Sequence, residues 1–156
     1  MDIYLGIDTS CYTTSLAAVD DRGNLLADAR QMLKVAPGER GLQQSAAFFQ
    51  HIQNFPGLFT GLAKTVELKK VKGIAASTRP RPVEGSYMPV FTAGASQGQV
   101  LSEALQVPLM ETSHQEGHLV AGLWSAGGIV NKNFLSVHLS GGTTELLKVQ
   151  SREKIQ

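Results

Sequence analysis

The sequence predicts an α/β fold on three observations. Short apolar runs bounded by turn residues open the chain, a stripe of helical period follows, and strand-like and helix-like segments then alternate to the end. Ile3–Ile7 and Ser15–Val19 flank the hydroxyl-rich stretch Asp8–Thr14, which reads as a β-hairpin. After the turn signal Asp21-Arg22-Gly23-Asn24, Leu25–Met32 makes a third antiparallel strand. Phe48, Ile52, Phe55, Phe59, Leu62 and Val66 recur with spacings of 4, 3, 4, 3 and 4, and Pro56 is expected to kink or split that helix near Ile52.

Val71–Ser77 reads as a buried strand, reached by a helical crossover and therefore parallel to a neighbour. Prolines at 80 and 82 make the segment Thr78–Gly85 irregular. Ala93, Gly94, Ala95, Ser96 and Gly98 predict a helix packed closely on the sheet. Val107–Glu111 is a short strand leading into a helix that runs to about Ser125 and stops at Ala126-Gly127-Gly128. Phe134–Leu139 alternates apolar residues against Ser136 and His138, and Glu145–Val149 returns beside it after Ser140–Thr144. The expected division is a first lobe over residues 1–108 and the start of a second over 109–156.

With 156 residues the chain holds one domain with a core, or one lobe and part of a second. A hydrophobic content of 42% and a charged content of 17% exclude a disordered chain. No apolar run approaches the roughly 20 residues of a membrane span. Met1-Asp2-Ile3-Tyr4 has no signal-peptide character, so a cytoplasmic location and no membrane partner are expected. The single Cys11 makes no internal disulfide, and a net charge of +1 provides no global field for nucleic acid.

The chemistry concentrates in Ser113-His114-Gln115-Glu116-Gly117-His118-Leu119. Two histidines four residues apart share one face of a helix and can hold one metal ion. Unrelated surface histidines give the same spacing by chance. Glu116 lies two residues after His114, roughly 200° around the helix, so it cannot serve as the general base of an H-E-x-x-H peptidase. Two hydroxyl-rich turns, Thr9–Thr14 and Ser140–Thr144, each follow an apolar strand. Either turn is ordinary hairpin chemistry, whereas the pair fits a nucleotide-binding fold whose backbone N–H groups cradle phosphate.

Gly6-Ile7-Asp8-Thr9-Ser10-Cys11, the histidine segment and Leu139-Ser140-Gly141-Gly142-Thr143-Thr144-Glu145-Leu146 resemble, in order and spacing, the tRNA threonylcarbamoyladenosine transferase family. That family was formerly called the O-sialoglycoprotein endopeptidase or glycoprotease family. The resemblance implies a ribonuclease H-like lobe of the actin/hexokinase/Hsp-chaperone (ASKHA) superfamily and covers the first half of a family member. It implies that His114 and His118 ligate a divalent iron or zinc ion. It also implies that Ser140, Gly141 and Gly142 contact phosphate or carbamoyl, with Asp8, Thr9, Ser10 and Cys11 as the opposite wall. An ATP-derived nucleotide and tRNA are the implied ligands of the full-length protein. A homodimer or paralogous heterodimer through the first lobe is the implied assembly, and the alternative to a transferase is a non-catalytic protein-binding or nucleotide-sensing paralogue. The fragment is expected to be inactive.

Three departures bear on that choice. Asp8, Tyr12 and Thr13 stand where the family has a glutamate and two acids, Thr78-Arg79-Pro80-Arg81 replaces an A-G-P-G loop, and Thr143-Thr144-Glu145 replaces H-T-Q. Arg79 and Arg81 are anion candidates because prolines hold them at a strand end. Cys11 reads as a small buried side chain, His51 and His138 as structural or surface histidines, and Lys64, Lys69, Lys70 and Lys72 as a solvated helix end. The aromatic helix stripe, with apolar surface left by a truncated second lobe, predicts a dimer.

Overall fold

A computed structural model describes residues 1–128, 133–139 and 144–150. The chain divides into two compact units, residues 1–117 and 118–156. In the first, β1 (Ile3–Asp8), β2 (Thr13–Asp20) and β3 (Leu25–Met32) form an antiparallel meander, and β4 (Val71–Arg79) and β5 (Leu109–Ser113) extend it in parallel. The sheet order is β3-β2-β1-β4-β5. Asp20 sets the β2–β3 turn by accepting N–H bonds from Arg22 and Asn24 at 2.9 and 2.8 Å. Because β5 pairs with β4, Leu109–Ser113 belongs to the first sheet.

Helices α1 (Gln44–Ala63) and α2 (Phe91–Leu105) pack on the sheet and on each other. The core is formed by Ile3, Leu5 and Ile7 of β1 with Leu16, Ala18, Ile74, Phe55 and Leu62. The face that α1 buries runs through Ala47, His51, Phe55 and Leu62, so it matches the stripe read from sequence at Phe55 and Leu62 and departs from it by one residue in the first turns, with Phe48, Ile52 and Phe59 half-buried. That stripe is core, and the exposed aromatic of α1 is Phe49. Pro56 does not split the helix. It sits on the solvent side, where the Ile52 carbonyl that loses its N–H partner can turn to water. The buried His51 satisfies its Nδ1 on the Thr14 hydroxyl at 2.9 Å, and Asn54 donates to the same oxygen at 3.1 Å.

Small residues let α2 lie close to the sheet, as expected. A Cβ on Gly98 would sit 3.2 Å from Leu109 and 3.3 Å from Ala76, and one on Gly94 would sit 2.8 Å from the Thr9 hydroxyl. Of the four lysines read as one helix end, only Lys64 caps α1. Lys69 and Lys70 lie in a 3-10 turn, Leu68–Lys70, and Lys72 in β4.

Helix α3 (His114–Ser125) begins in the first unit, and its later turns belong to the second. It ends at Gly127 and Gly128, both at positive φ. In the second unit β6 (Phe134–Leu139) pairs antiparallel with β7 (Thr144–Val149). Its exposed face carries Leu135, Val137, Leu139 and Leu146, while Ser136, His138 and Glu145 are half-buried. The His118 and His138 rings stand 5.7 Å apart. No helix among the described residues is long and apolar enough to cross a membrane.

Candidate functional site at the carboxyl ends of the parallel strands

Strands β1, β4 and β5 run the same way, so Asp8, Ser77–Arg79 and Ser113 meet at one edge of the sheet. In open α/β sheets this edge is where ligands bind. Asp8 is its electrostatic centre. Its Oδ2 accepts from His114 Nδ1 at 2.9 Å and its Oδ1 from the Ser10 N–H at 2.8 Å. Burial by itself raises the Asp8 pKa, but hydrogen bonds from His114, Ser10 and Ser77 and the charge of His114 outweigh it and hold the carboxyl at about 2. An ionised Asp8 only accepts, so the His114 nitrogen that faces it, Nδ1, is the one that carries a proton.

The start of α3 places His114. Ser113, 0% exposed, is the helix cap: its N–H and hydroxyl donate to Glu116 Oε2 at 2.9 and 2.8 Å, and the Glu116 N–H returns to Ser113 Oγ at 3.2 Å. This is a reciprocal capping box. The signal was present in the sequence as S-x-x-E at Ser113–Glu116, and reading Glu116 only as an absent peptidase base missed it. Burial raises the Glu116 pKa, but the bonds from Ser113 and Thr112 and the charge of Arg79 leave it below the ordinary value. The Gln115 N–H donates to the Pro80 carbonyl at 3.1 Å and ties α3 to the end of β4.

The turn after β1 is less open than its composition implied. The Thr9 hydroxyl, fully buried, donates to the Val90 carbonyl at 2.9 Å and accepts from the Gly94 N–H at 3.0 Å, so it is committed to α2. Ser10 is nearly buried beside Asp8. Cys11 corrects the sequence reading: it is exposed, at φ 45°, because the tight turn puts a left-handed residue there and swings the side chain outward. Ser140, Gly141 and Gly142 lie outside the described residues.

His114 and His118 share α3 four residues apart. Among the described residues no three His, Cys, Asp or Glu side chains gather to hold a metal ion. The donor chemistry fits a metal in part: a histidine whose Nδ1–H is held by a carboxylate presents Nε2 in the ligating tautomer. Arg79, at the tip of β4, approaches Glu111 at 3.9 Å. β4 extends through Thr78 and Arg79 where an irregular segment was expected, since the residue before Pro80 favours the extended region.

The fold is shared with three solved structures. YeaZ from Pseudomonas aeruginosa superposes with a TM-score of 0.61 at 16% identity over 96% of this chain and 61% of its own. The ethanolamine utilization protein EutJ from Carboxydothermus hydrogenoformans gives 0.55 at 17%, over 97% and 48%. A ROK family glucokinase from Streptomyces griseus gives 0.54 at 9%, over 97% and 45%. The lobe therefore has a ribonuclease H-like fold. Curated tRNA N6-adenosine threonylcarbamoyltransferases from Thermotoga neapolitana and Prochlorococcus marinus are 29% and 28% identical, over 93% and 100% of this chain. The chain spans 43% and 44% of their length. The tRNA N6-adenosine threonylcarbamoyltransferase (TsaD) family matches residues 29–156, and the chain belongs to that family.

Proposed function

We propose that this chain forms one part of a metal-assisted acyl transferase that passes a threonylcarbamoyl group to the exocyclic amine of a tRNA adenosine. The family match supports the reaction class. The observation that carries the site is the 2.9 Å bond between Asp8 and His114 at the strand ends. His114 and His118 would hold a divalent iron or zinc ion, which when bound supplies a Lewis acid and a template for the acyl group. Asp8 accepts from His114 Nδ1 and orients the ring. Ser10, Cys11 and the Ser140-Gly141-Gly142 segment are the proposed phosphate contacts of an ATP-derived nucleotide. Two histidines are half of a tetrahedral shell, so the chain alone binds metal weakly and is inactive without further ligands.

Association with a second copy or a paralogue through the first lobe is part of this reading, as is a cytoplasmic location. A second reading, a non-catalytic partner that senses nucleotide or binds protein, is favoured by the lack of a three-donor cluster among the described residues. Tyr12 and Thr13 in place of acids favour it too. Calorimetric titration with zinc at pH 7.5 and 5.5, on wild type and His118→Ala, separates the two. Metal binding lost in the mutant and at low pH supports the transferase reading, because protonated imidazole does not ligate. Equal heats in all four samples would leave the non-catalytic partner.

A further inference from the structure

We infer that Arg79 and Thr78, at the tip of β4, form a phosphate-binding site whose affinity is set by Glu111. This deepens the nucleotide reading by naming the residues that grip the anion, and it requires no bound metal.

The inference begins with a break in register. Ser77 pairs with Thr112 and Arg79 with Ser113, so Thr78 is an extra residue on the β4 side of the β4–β5 ladder. Such an extra, unpaired residue is a β-bulge, and it follows the buried Ala76 and Ser77. The bulge keeps Ser77 turned to Asp8 while Thr78 and Arg79 reach the solvent side of the same edge. Pro80 follows at once, and its carbonyl is held by the Gln115 N–H, so Arg79 stands on a braced piece of backbone.

The guanidinium is only loosely engaged. Both of its contacts go through Nη1, a long 3.4 Å bond to Thr78 Oγ1 and the 3.9 Å approach to Glu111. Among the described residues Nε and Nη2 meet no protein acceptor, so one edge of the fork stays solvated. Among the described residues the carboxylates of Asp8, Glu116 and Glu111 stand at this end of the sheet, and they are not equivalent. Asp8 is satisfied by His114, Ser10 and Ser77, and Glu116 by Ser113 and Thr112. The Glu111 side chain is 62% exposed, and its contacts among the described residues are the weak ones to Arg79 and to Thr78 Oγ1 at 3.4 Å. It is a displaceable internal anion. When a phosphate takes its place, the Arg79 fork and the Thr78 hydroxyl supply three donors to three phosphoryl oxygens.

The test is titration with inorganic phosphate at constant ionic strength, followed by NMR of the Arg79 side chain and by calorimetry. Arg79→Ala is expected to weaken binding about tenfold or more, and Glu111→Gln to tighten it several-fold by removing the competitor. Arg22→Ala, in the β2–β3 turn, is expected to change nothing. Both tested side chains lie on the surface, and circular dichroism checks that the variants fold. AMP in place of phosphate distinguishes a nucleotide source from free phosphate, and tighter or equal binding both support the site. No saturable phosphate binding in wild type, unchanged affinity in Arg79→Ala, or no tightening in Glu111→Gln would overturn the assignment. Loss of zinc binding in His118→Ala would be unaffected by any of these results, so the two readings fail separately.

Discussion

Two carboxylate–imidazole pairs among the described residues, one in each compact unit, differ in what surrounds them. Asp8 and His114 meet at 2.9 Å, with side chains 28% and 31% exposed; His138 and Glu145 approach only to 3.6 Å, at 24% and 22%. Exposure is nearly the same, so burial does not explain the difference. Supporting donors do. Asp8 has Ser10 and Ser77 beside it and His114 stands on a capped helix, whereas among the described residues the buried His138 Nδ1 has no hydrogen-bond partner and lies on a two-stranded ribbon. The same contrast holds for apolar groups: in the first unit β1 turns Ile3, Leu5 and Ile7 inward, while β6 turns Leu135, Val137 and Leu139 outward. A pair becomes a site where the scaffold fixes both partners.

The largest expected effect tests the apolar half of that contrast. Phe55→Ala, which empties a position 4% exposed, is predicted to cost about 3–5 kcal/mol in chemical denaturation. Val137→Ala, at a position 62% exposed, is predicted to cost less than about 0.5 kcal/mol. Similar losses for both would mean that the hairpin face is covered in solution.

Next comes pH. The Asp8 pKa is held at about 2 against 3.8 unfolded, so its stabilisation is present above 3.8 and is lost as pH falls toward 2. It amounts to about 2 kcal/mol at neutral pH. Asp8→Asn should flatten this acid limb of the stability–pH curve, and a limb unchanged in the mutant would contradict the assignment. Burial lowers the His51 pKa against weaker raising effects of the Cys11 backbone and the Asp8 charge. Stability is therefore also lost as pH falls below His51's unfolded value near 6.5, and His51→Gln should remove that step.

Much of this architecture was legible because strands and helices declare themselves by period. The three opening strands, the crossover to a parallel β4 and the glycine-lined α2 all follow from patterning that packing enforces. The site was legible as residue types rather than as partners. His114 stood out by its spacing to His118, yet its contact is Asp8, 106 positions away, a pairing made by parallel strands that no local pattern encodes. Thr9 read as a phosphate donor because nothing local reveals that its hydroxyl is spent on Val90 and Gly94. The stripe on α1 was displaced by one residue in the first turns because a buried histidine, paired with Thr14, occupies a place that hydrophobicity leaves empty.

A smaller effect sharpens the role of the helix start. Glu116→Ala removes one side of the capping box and is predicted to cost about 1 kcal/mol while loosening His114. Glu145→Gln, which touches the longer pair, should fall within about 0.5 kcal/mol of wild type. Denaturation midpoints for the two variants decide the comparison.

Asp8 holds His114 in the tautomer that carries its proton on Nδ1, and long-range nitrogen–proton NMR of the imidazoles tests this most directly. In wild type the His114 proton is expected on Nδ1, facing Asp8, with that preference lost in Asp8→Asn. A His114 protonated on Nε2 in the wild-type protein, or a tautomer unchanged by Asp8→Asn, would contradict it.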